Sequence, residues 1–236
     1  GANLKTIVIT SAEPQAGKTM TGANISIALA QNGHKVLFID ADLRKPQLHK
    51  VFNLEKHNGL GDYLAQNADS GPVFLSQIIQ DPGIENLKII TSGIKVNSPA
   101  ELIGSKKMVD LMAEAKQGFD YVIFDSPPVI SVTDAVILSE ISDAVIQVVR
   151  SGRILAPVAI KVKDKLVNTK AKFLGVVLND LKAEHSDYGY YHYYKYYHYY
   201  GEDGQGQKPP KKKESLKERL ISMVKDKFNH KVGVGR

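Results

Sequence analysis

ITSAEPQAGKT, Ile9 to Thr19, decides how this chain folds. It starts inside an apolar run, KTIVIT (Lys5 to Thr10), and ends by opening a helical pattern. The loop between them is close to GxxxxGK followed by Ser or Thr, with Ala12 where the first glycine would stand. In such a loop consecutive backbone N–H groups wrap a phosphate, a glycine turns the chain without a Cβ clash, and the helix dipole adds favourable potential. Nucleotide contacts are therefore expected from Gln15, Ala16, Gly17, Lys18, Thr19 and Met20. Lys18 would reach the β- and γ-phosphates, and the Thr19 hydroxyl would ligate Mg²⁺. The plainer reading is an ordinary turn with a surface lysine, but a strand before and a helix after favour the nucleotide.

On both sides of this loop, short apolar runs alternate with helical patterns. Lys35 to Asp40, Leu87 to Thr91, Tyr121 to Asp125, Ala144 to Val149 and Phe173 to Asn179 join Lys5 to Thr10 as expected strands. They are continuously apolar, as parallel strands covered on both faces are. Helices are expected over Lys18 to Asn32, Lys106 to Gln117, Asp134 to Ile141 and Pro157 to Asn168, and only short helices and loops over His57 to Asn86. The alternation predicts an α/β fold: a doubly wound, mainly parallel sheet of the P-loop NTPase type, flanked by helices. Ligands of such sheets lie at the carboxyl ends of the strands. Asp40 and Asp42 close VLFIDAD, and Asp125 closes YVIFD before SPP breaks the strand. Strand-end aspartates are usually turn formers. Three of them expected beside a phosphate loop point instead to metal and proton chemistry.

The totals narrow the class. The 236 residues suffice for one full α/β domain. No apolar run approaches the ~18 residues of a bilayer span, and no leader pattern is present. Cysteine is absent, which excludes disulfides and thiolate catalysis. The net charge of +6 is concentrated at one end: residues 205–236 hold ten Lys or Arg against three Asp or Glu, leaving 21 against 22 in the rest. A near-neutral body argues against nucleic acid as a partner. Three regions follow: a P-loop domain over residues 1–183, a tyrosine-rich tail over 184–207, and a basic linker with an amphipathic helix over 208–236. In the last, Leu216, Leu220, Ile221, Val224 and Phe228 fall near helical spacing among lysines, which suits anionic lipid, a partner helix, or simple solvation.

SAEPQAGKT, VLFIDADLRKP, NSPAELIGSKKM, FDYVIFDSPPVISVTDA and GVVLND, in this order, resemble the bacterial tyrosine kinases of exopolysaccharide and capsule synthesis. The tyrosine-rich tail resembles that family's other mark, and the likeness covers about residues 4 to 200. The resemblance implies an ATP- and Mg²⁺-dependent protein-tyrosine kinase that phosphorylates its own tail, in trans within a ring of subunits, and regulates polysaccharide production and export. It implies that Lys18 and Thr19 hold phosphates and Mg²⁺, that Asp40 accepts the tyrosine proton, and that Asp42 and Asp125 hold the metal, with Asp40 and Asp42 exchangeable. Arg44 would hold phosphate or the docked tyrosine segment, or else make a surface salt bridge, and Asn179 would contact the base or cap its strand. Where the family often reads PGEGKS this chain has PQAGKT, so Gln15 and Ala16 replace a glycine and an acid. The resemblance also implies an Arg-rich helix ahead of the first strand, which the residues before Lys5 do not supply. The expected setting is the inner face of the bacterial membrane, as the cytoplasmic part of a membrane protein or as a subunit served by a transmembrane activator. Other tyrosine-bearing proteins and a cognate phosphatase are the remaining partners implied.

SDYGYYHYYKYYHYYGE (Ser186 to Glu202) holds nine of the eleven tyrosines, and Tyr188, Tyr190, Tyr191, Tyr193, Tyr194, Tyr196, Tyr197, Tyr199 and Tyr200 are the candidate phosphorylation sites. Each phosphate adds about −1.5 to −2 of charge, so heavy modification is expected to expel the tail and loosen the assembly. Two other readings stand beside this one. A ParA/MinD-type positioning ATPase would carry a second lysine five residues before Lys18, where this chain has Glu13. A nucleotide-binding scaffold with an adhesive aromatic tail would need only the tail.

Overall fold

The computed structural model describes residues 4–66 and 73–181. The chain divides into two units, Gly1–Lys182 and Ala183–Arg236. The candidate phosphorylation tyrosines and the basic segment lie outside the described residues. In chain order the elements are β1 (Thr6–Ser11), α1 (Lys18–Gln31), β2 (Val36–Asp40), α2 (Leu48–Val51), α3 (Leu60–Leu64), α4 (Leu75–Ile78) and β3 (Leu87–Ile90). There follow α5 (Pro99–Ile103), α6 (Lys106–Gly118), β4 (Tyr121–Asp125), α7 (Asp134–Glu140), β5 (Ala144–Arg150), α8 (Ala156–Val167) and β6 (Lys172–Asn179).

The strands form one sheet in the order β3-β2-β4-β1-β5-β6, with every neighbouring pair parallel. Strand side chains alternate between faces, so a doubly covered sheet carries two cores. On one face Val8, Leu37, Phe124 and Val145 pack with Met108, Leu111 and Leu138 of α6 and α7. On the other, Ile9, Phe38, Ile123 and Val148 pack with Ala23 and Ala30 of α1. Gly22 lets α1 approach closely, since a Cβ there would lie 2.7 Å from the Phe38 ring. This is the expected doubly wound P-loop architecture.

The last strand read as buried on both faces, but β6 lies at the sheet edge and its alternate residues Leu174, Val176 and Leu178 are exposed. An apolar run records only that a strand is apolar; coverage depends on what packs over it. Its neighbour α8 buries only Val162 and Leu166.

Parallel pairing sets the height of the strand ends. Asp40 stands opposite Asp125 in the β2–β4 register, and Ile9 opposite Asp125 in β1–β4. Beyond the strands, Ala41 N–H donates to the Asp125 carbonyl at 2.8 Å. Val129 N–H donates to the Ser11 carbonyl at 2.9 Å, so the loop after β4 runs along the start of the loop after β1. Three adjacent strands thus deliver their carboxyl-end loops to one place.

Candidate active site

The loop from Ala12 to Gly17 joins β1 to α1 and is shaped by two left-handed residues, Gln15 at φ 61° and Gly17 at φ 92°. Gly17 also has no room for a side chain: a Cβ there would collide with the Asn179 amide nitrogen. None of the backbone N–H groups of residues 15–20 donates to another described residue. Six consecutive amides at a helix N-terminus, left without acceptors, form a nest suited to phosphate oxygens. Lys18 is nearly buried beneath them, and Met20 lies exposed on the first turn of α1.

Two of the three aspartates, Asp42 and Asp125, meet that lysine. Lys18 Nζ donates to Asp42 Oδ2 at 3.1 Å and lies 3.7 Å from Asp125 Oδ1. Thr19 Oγ1 donates to Asp125 Oδ2 at 2.6 Å. Asp40 Oδ2 accepts from Gln47 N–H at 3.0 Å and Leu48 N–H at 2.9 Å, while Asp42 Oδ1 accepts from Lys45 N–H at 2.9 Å. The loop over residues 41–47 is therefore wound around two carboxylates. All three aspartates are buried.

One ammonium among three buried carboxylates leaves an excess of negative charge, and the acids respond. Burial, followed by the charge of Asp125, pushes Asp40 up from 3.8 to about 8, against the pull of the Leu48 amide. Burial likewise raises Asp125 to about 6, with Lys18 and the Thr19 hydroxyl opposing it. Burial pulls Lys18 down, but Asp125 and Asp42 together leave it above its ordinary value. The Asp40 and Asp125 Oδ1 atoms are buried with no hydrogen-bond donor. Orphaned acceptors beside a hydroxyl and a surplus of negative charge suit a hard divalent cation such as Mg²⁺. Thr19, Asp42 and Asp125 would hold it. Among the described residues no three His, Asp or Glu form a protein-only metal cage. Mg²⁺ in nucleotide sites takes only one or two carboxylates and completes its shell with phosphates and water.

Two further expected residues have clear places. Asn179, at the end of β6, donates from Nδ2 to the Ala16 carbonyl at 2.9 Å and so braces the phosphate loop. Arg44 forms a two-point ion pair with Asp134, Nε to Oδ2 at 2.9 Å and Nη2 to Oδ1 at 3.0 Å. Of its two readings, the ion pair is the one seen, though its partner is buried rather than on the surface. Asp134 was not foreseen as a site residue. An acid in the first turn of a helix ordinarily needs no more explanation than the helix dipole.

A P-loop ATPase fold with a carboxylate-lined phosphate nest defines a nucleotide-binding protein. A family model described as an AAA domain matches residues 4–173. Tyrosine-protein kinase YwqD of Bacillus subtilis (strain 168) is 42% identical over 188 residues, spanning 79% of this chain and 77% of that protein. The kinase domain of the Escherichia coli tyrosine kinase ETK matches with a TM-score of 0.72 at 32% identity, covering 79% of this chain and 71% of that one. The septum site-determining protein MinD of Pyrococcus horikoshii OT3, complexed with Mg-ADP, matches at a TM-score of 0.62 and 26% identity, covering 74% of this chain and 71% of that one. This chain belongs to the bacterial tyrosine-protein kinases of the P-loop type.

Proposed function

We propose that the protein transfers the γ-phosphoryl group of Mg-ATP to tyrosine hydroxyls, those of its own C-terminal ribbon first. The observation that carries this reading is the pairing of Lys18 with Asp42 and Asp125, with Asp40 opposite Asp125 in the β2–β4 register, beside the open amides of the phosphate loop. Phosphoryl transfer asks a protein mainly for position and charge stabilisation. The amides of residues 15–20 and the Lys18 ammonium bind and orient the phosphates. Thr19, Asp42 and Asp125 would hold Mg²⁺, which when bound supplies neutralisation of phosphate charge. Tyrosine, with a pKa near ~10, needs a base before it can attack. Asp40, whose Oδ1 is buried without a donor, is the residue that takes that proton. Asn179 braces the loop from Nδ2. A contact from its other amide atom to the nucleotide base fits the same position.

The remaining parts of the reading rest on the resemblance. They are trans phosphorylation within a homo-oligomer, a membrane-spanning activator or module, action on other tyrosine-bearing proteins, reversal by a phosphatase, and control of capsule or exopolysaccharide production at the inner face of the membrane. No described helix is long and apolar enough to cross a membrane.

Incubating the full chain with Mg-ATP and mapping modified residues by mass spectrometry tests the reading. Phosphotyrosine within residues 188–200, absent after Lys18→Met, is the expected result. Hydrolysis of ATP with no phosphotyrosine would make the chain a positioning-type ATPase instead, and failure to bind nucleotide would leave only a scaffold.

A further inference from the structure

The Arg44–Asp134 pair joins the loop after β2 to the first residue of α7, where the loop after β4 ends. The loop over residues 41–47 leaves β2 at Asp40 and carries Asp42; the loop over residues 126–133 leaves β4 at Asp125. Sheet pairing holds them together only as far as the Ala41 N–H bond to the Asp125 carbonyl. Farther out the Arg44 fork ties them across 90 residues of sequence.

The partners are unequal. Asp134 is completely buried, and its oxygens accept from Arg44 and from no other described donor. The Arg44 side chain is 39% exposed. A buried carboxylate whose one counter-charge is removed becomes strongly unfavourable, so the pair fixes where Arg44 must sit. Arg44 in turn adjoins Lys45, whose N–H holds Asp42 Oδ1 while Asp42 Oδ2 holds Lys18. A shift of the Arg44 turn would therefore move the Lys45 N–H and with it the Asp42 carboxylate that it holds.

We infer that Asp134 is a positioning residue for the cation and phosphate site: through Arg44 it sets the separation and orientation of Asp42 and Asp125. This rests on the kinase reading above. Arg44 acts here as the link in that chain of contacts. Outer partners that orient metal-holding groups typically govern metal affinity or activity by about 10- to 100-fold.

The test uses the full chain as wild type, Asp134→Asn, Arg44→Gln, Arg44→Lys and the Arg44→Gln/Asp134→Asn double variant. It reads the Mg²⁺ concentration that half-saturates binding of a fluorescent ADP, the rate of phosphotyrosine formation, and the melting temperature. The expected result is a rise of about tenfold or more in the Mg²⁺ requirement for Asp134→Asn and for Arg44→Gln. The double variant should be no worse than either single, and Arg44→Lys, which keeps the charge without the fork, should fall between. KM for ATP at saturating Mg²⁺ should change little. A purely structural pair would lower the melting temperature and leave the Mg²⁺ requirement alone.

Asp134→Asn within twofold of wild type would overturn the inference, and so would a double variant as poor as the product of the singles. If Asp134→Asn does not fold, the exposed Arg44 carries the test, and a wild-type Mg²⁺ requirement in Arg44→Gln overturns it equally. Wild-type chain that binds no Mg-nucleotide would sink the kinase reading as well; wild-type binding with an unaffected Asp134→Asn would sink this inference alone.

Discussion

Asp40 is wholly buried, and its carboxylate accepts two backbone N–H bonds, an arrangement that alone would favour the ionised form. Burial and the neighbouring charge of Asp125 win, lifting it from 3.8 to about 8. Because the folded value lies above the unfolded one, folding takes up a proton near neutrality. The associated stability is intact below the unfolded value and is lost as pH rises through about 8. Asp40→Asn removes this penalty. In the nucleotide-free protein it should raise unfolding free energy at pH 9 by about 1–3 kcal/mol, and by less at pH 5, measured by denaturant titration. Loss of stability at pH 9 would mean that the carboxylate is better accommodated than its surroundings suggest. Gln15 shows a second compromise at this scale. The loop places it at φ 61°, a conformation that favours glycine, which explains why a family loop reading PGEGKS has glycine there.

At the scale of elements, the phosphate loop is held from four sides: by β1 before it, α1 after it, the loop following β4, and Asn179 at the end of β6. Its position depends on how closely α1 lies on the sheet, and Gly22 sets that distance against Phe38. Phe38 is fully buried, so its ring cannot swing aside cheaply. Gly22→Val should therefore destabilise the domain by about 1–3 kcal/mol, seen in thermal or denaturant melts. An unchanged melt would show that α1 can lift from the sheet without cost. The short α5 was not expected, although its signals are present: Ser98 at the N-cap and Pro99 in the first turn. Five residues are too few for a helical apolar period to emerge.

At the scale of the whole molecule, the sheet and its main helices were legible because the governing signals are local: continuous apolar strands, one phosphate loop, and aspartates at strand ends. The meeting of Lys18, Asp42 and Asp125 was legible for the same reason, since parallel strands bring their carboxyl ends to a common edge. Arg44 with Asp134 was not, because a contact across 90 residues depends on how two loops turn after leaving the sheet. The exposure of β6 was missed too, since coverage of a strand is decided by its neighbours. Asp40's raised proton affinity likewise arises only once folding buries the strand end beside Asp125. The function drawn from the assembled site makes that buried acid the base that receives the tyrosine proton. The most direct test is the single-turnover rate of phosphotyrosine formation by Asp40→Asn at saturating Mg-ATP, read beside its affinity for Mg-ADP. The account predicts a rate lower by about 10²- to 10⁴-fold with binding changed only a few-fold. Transfer at the wild-type rate, or loss of binding in place of rate, would contradict it.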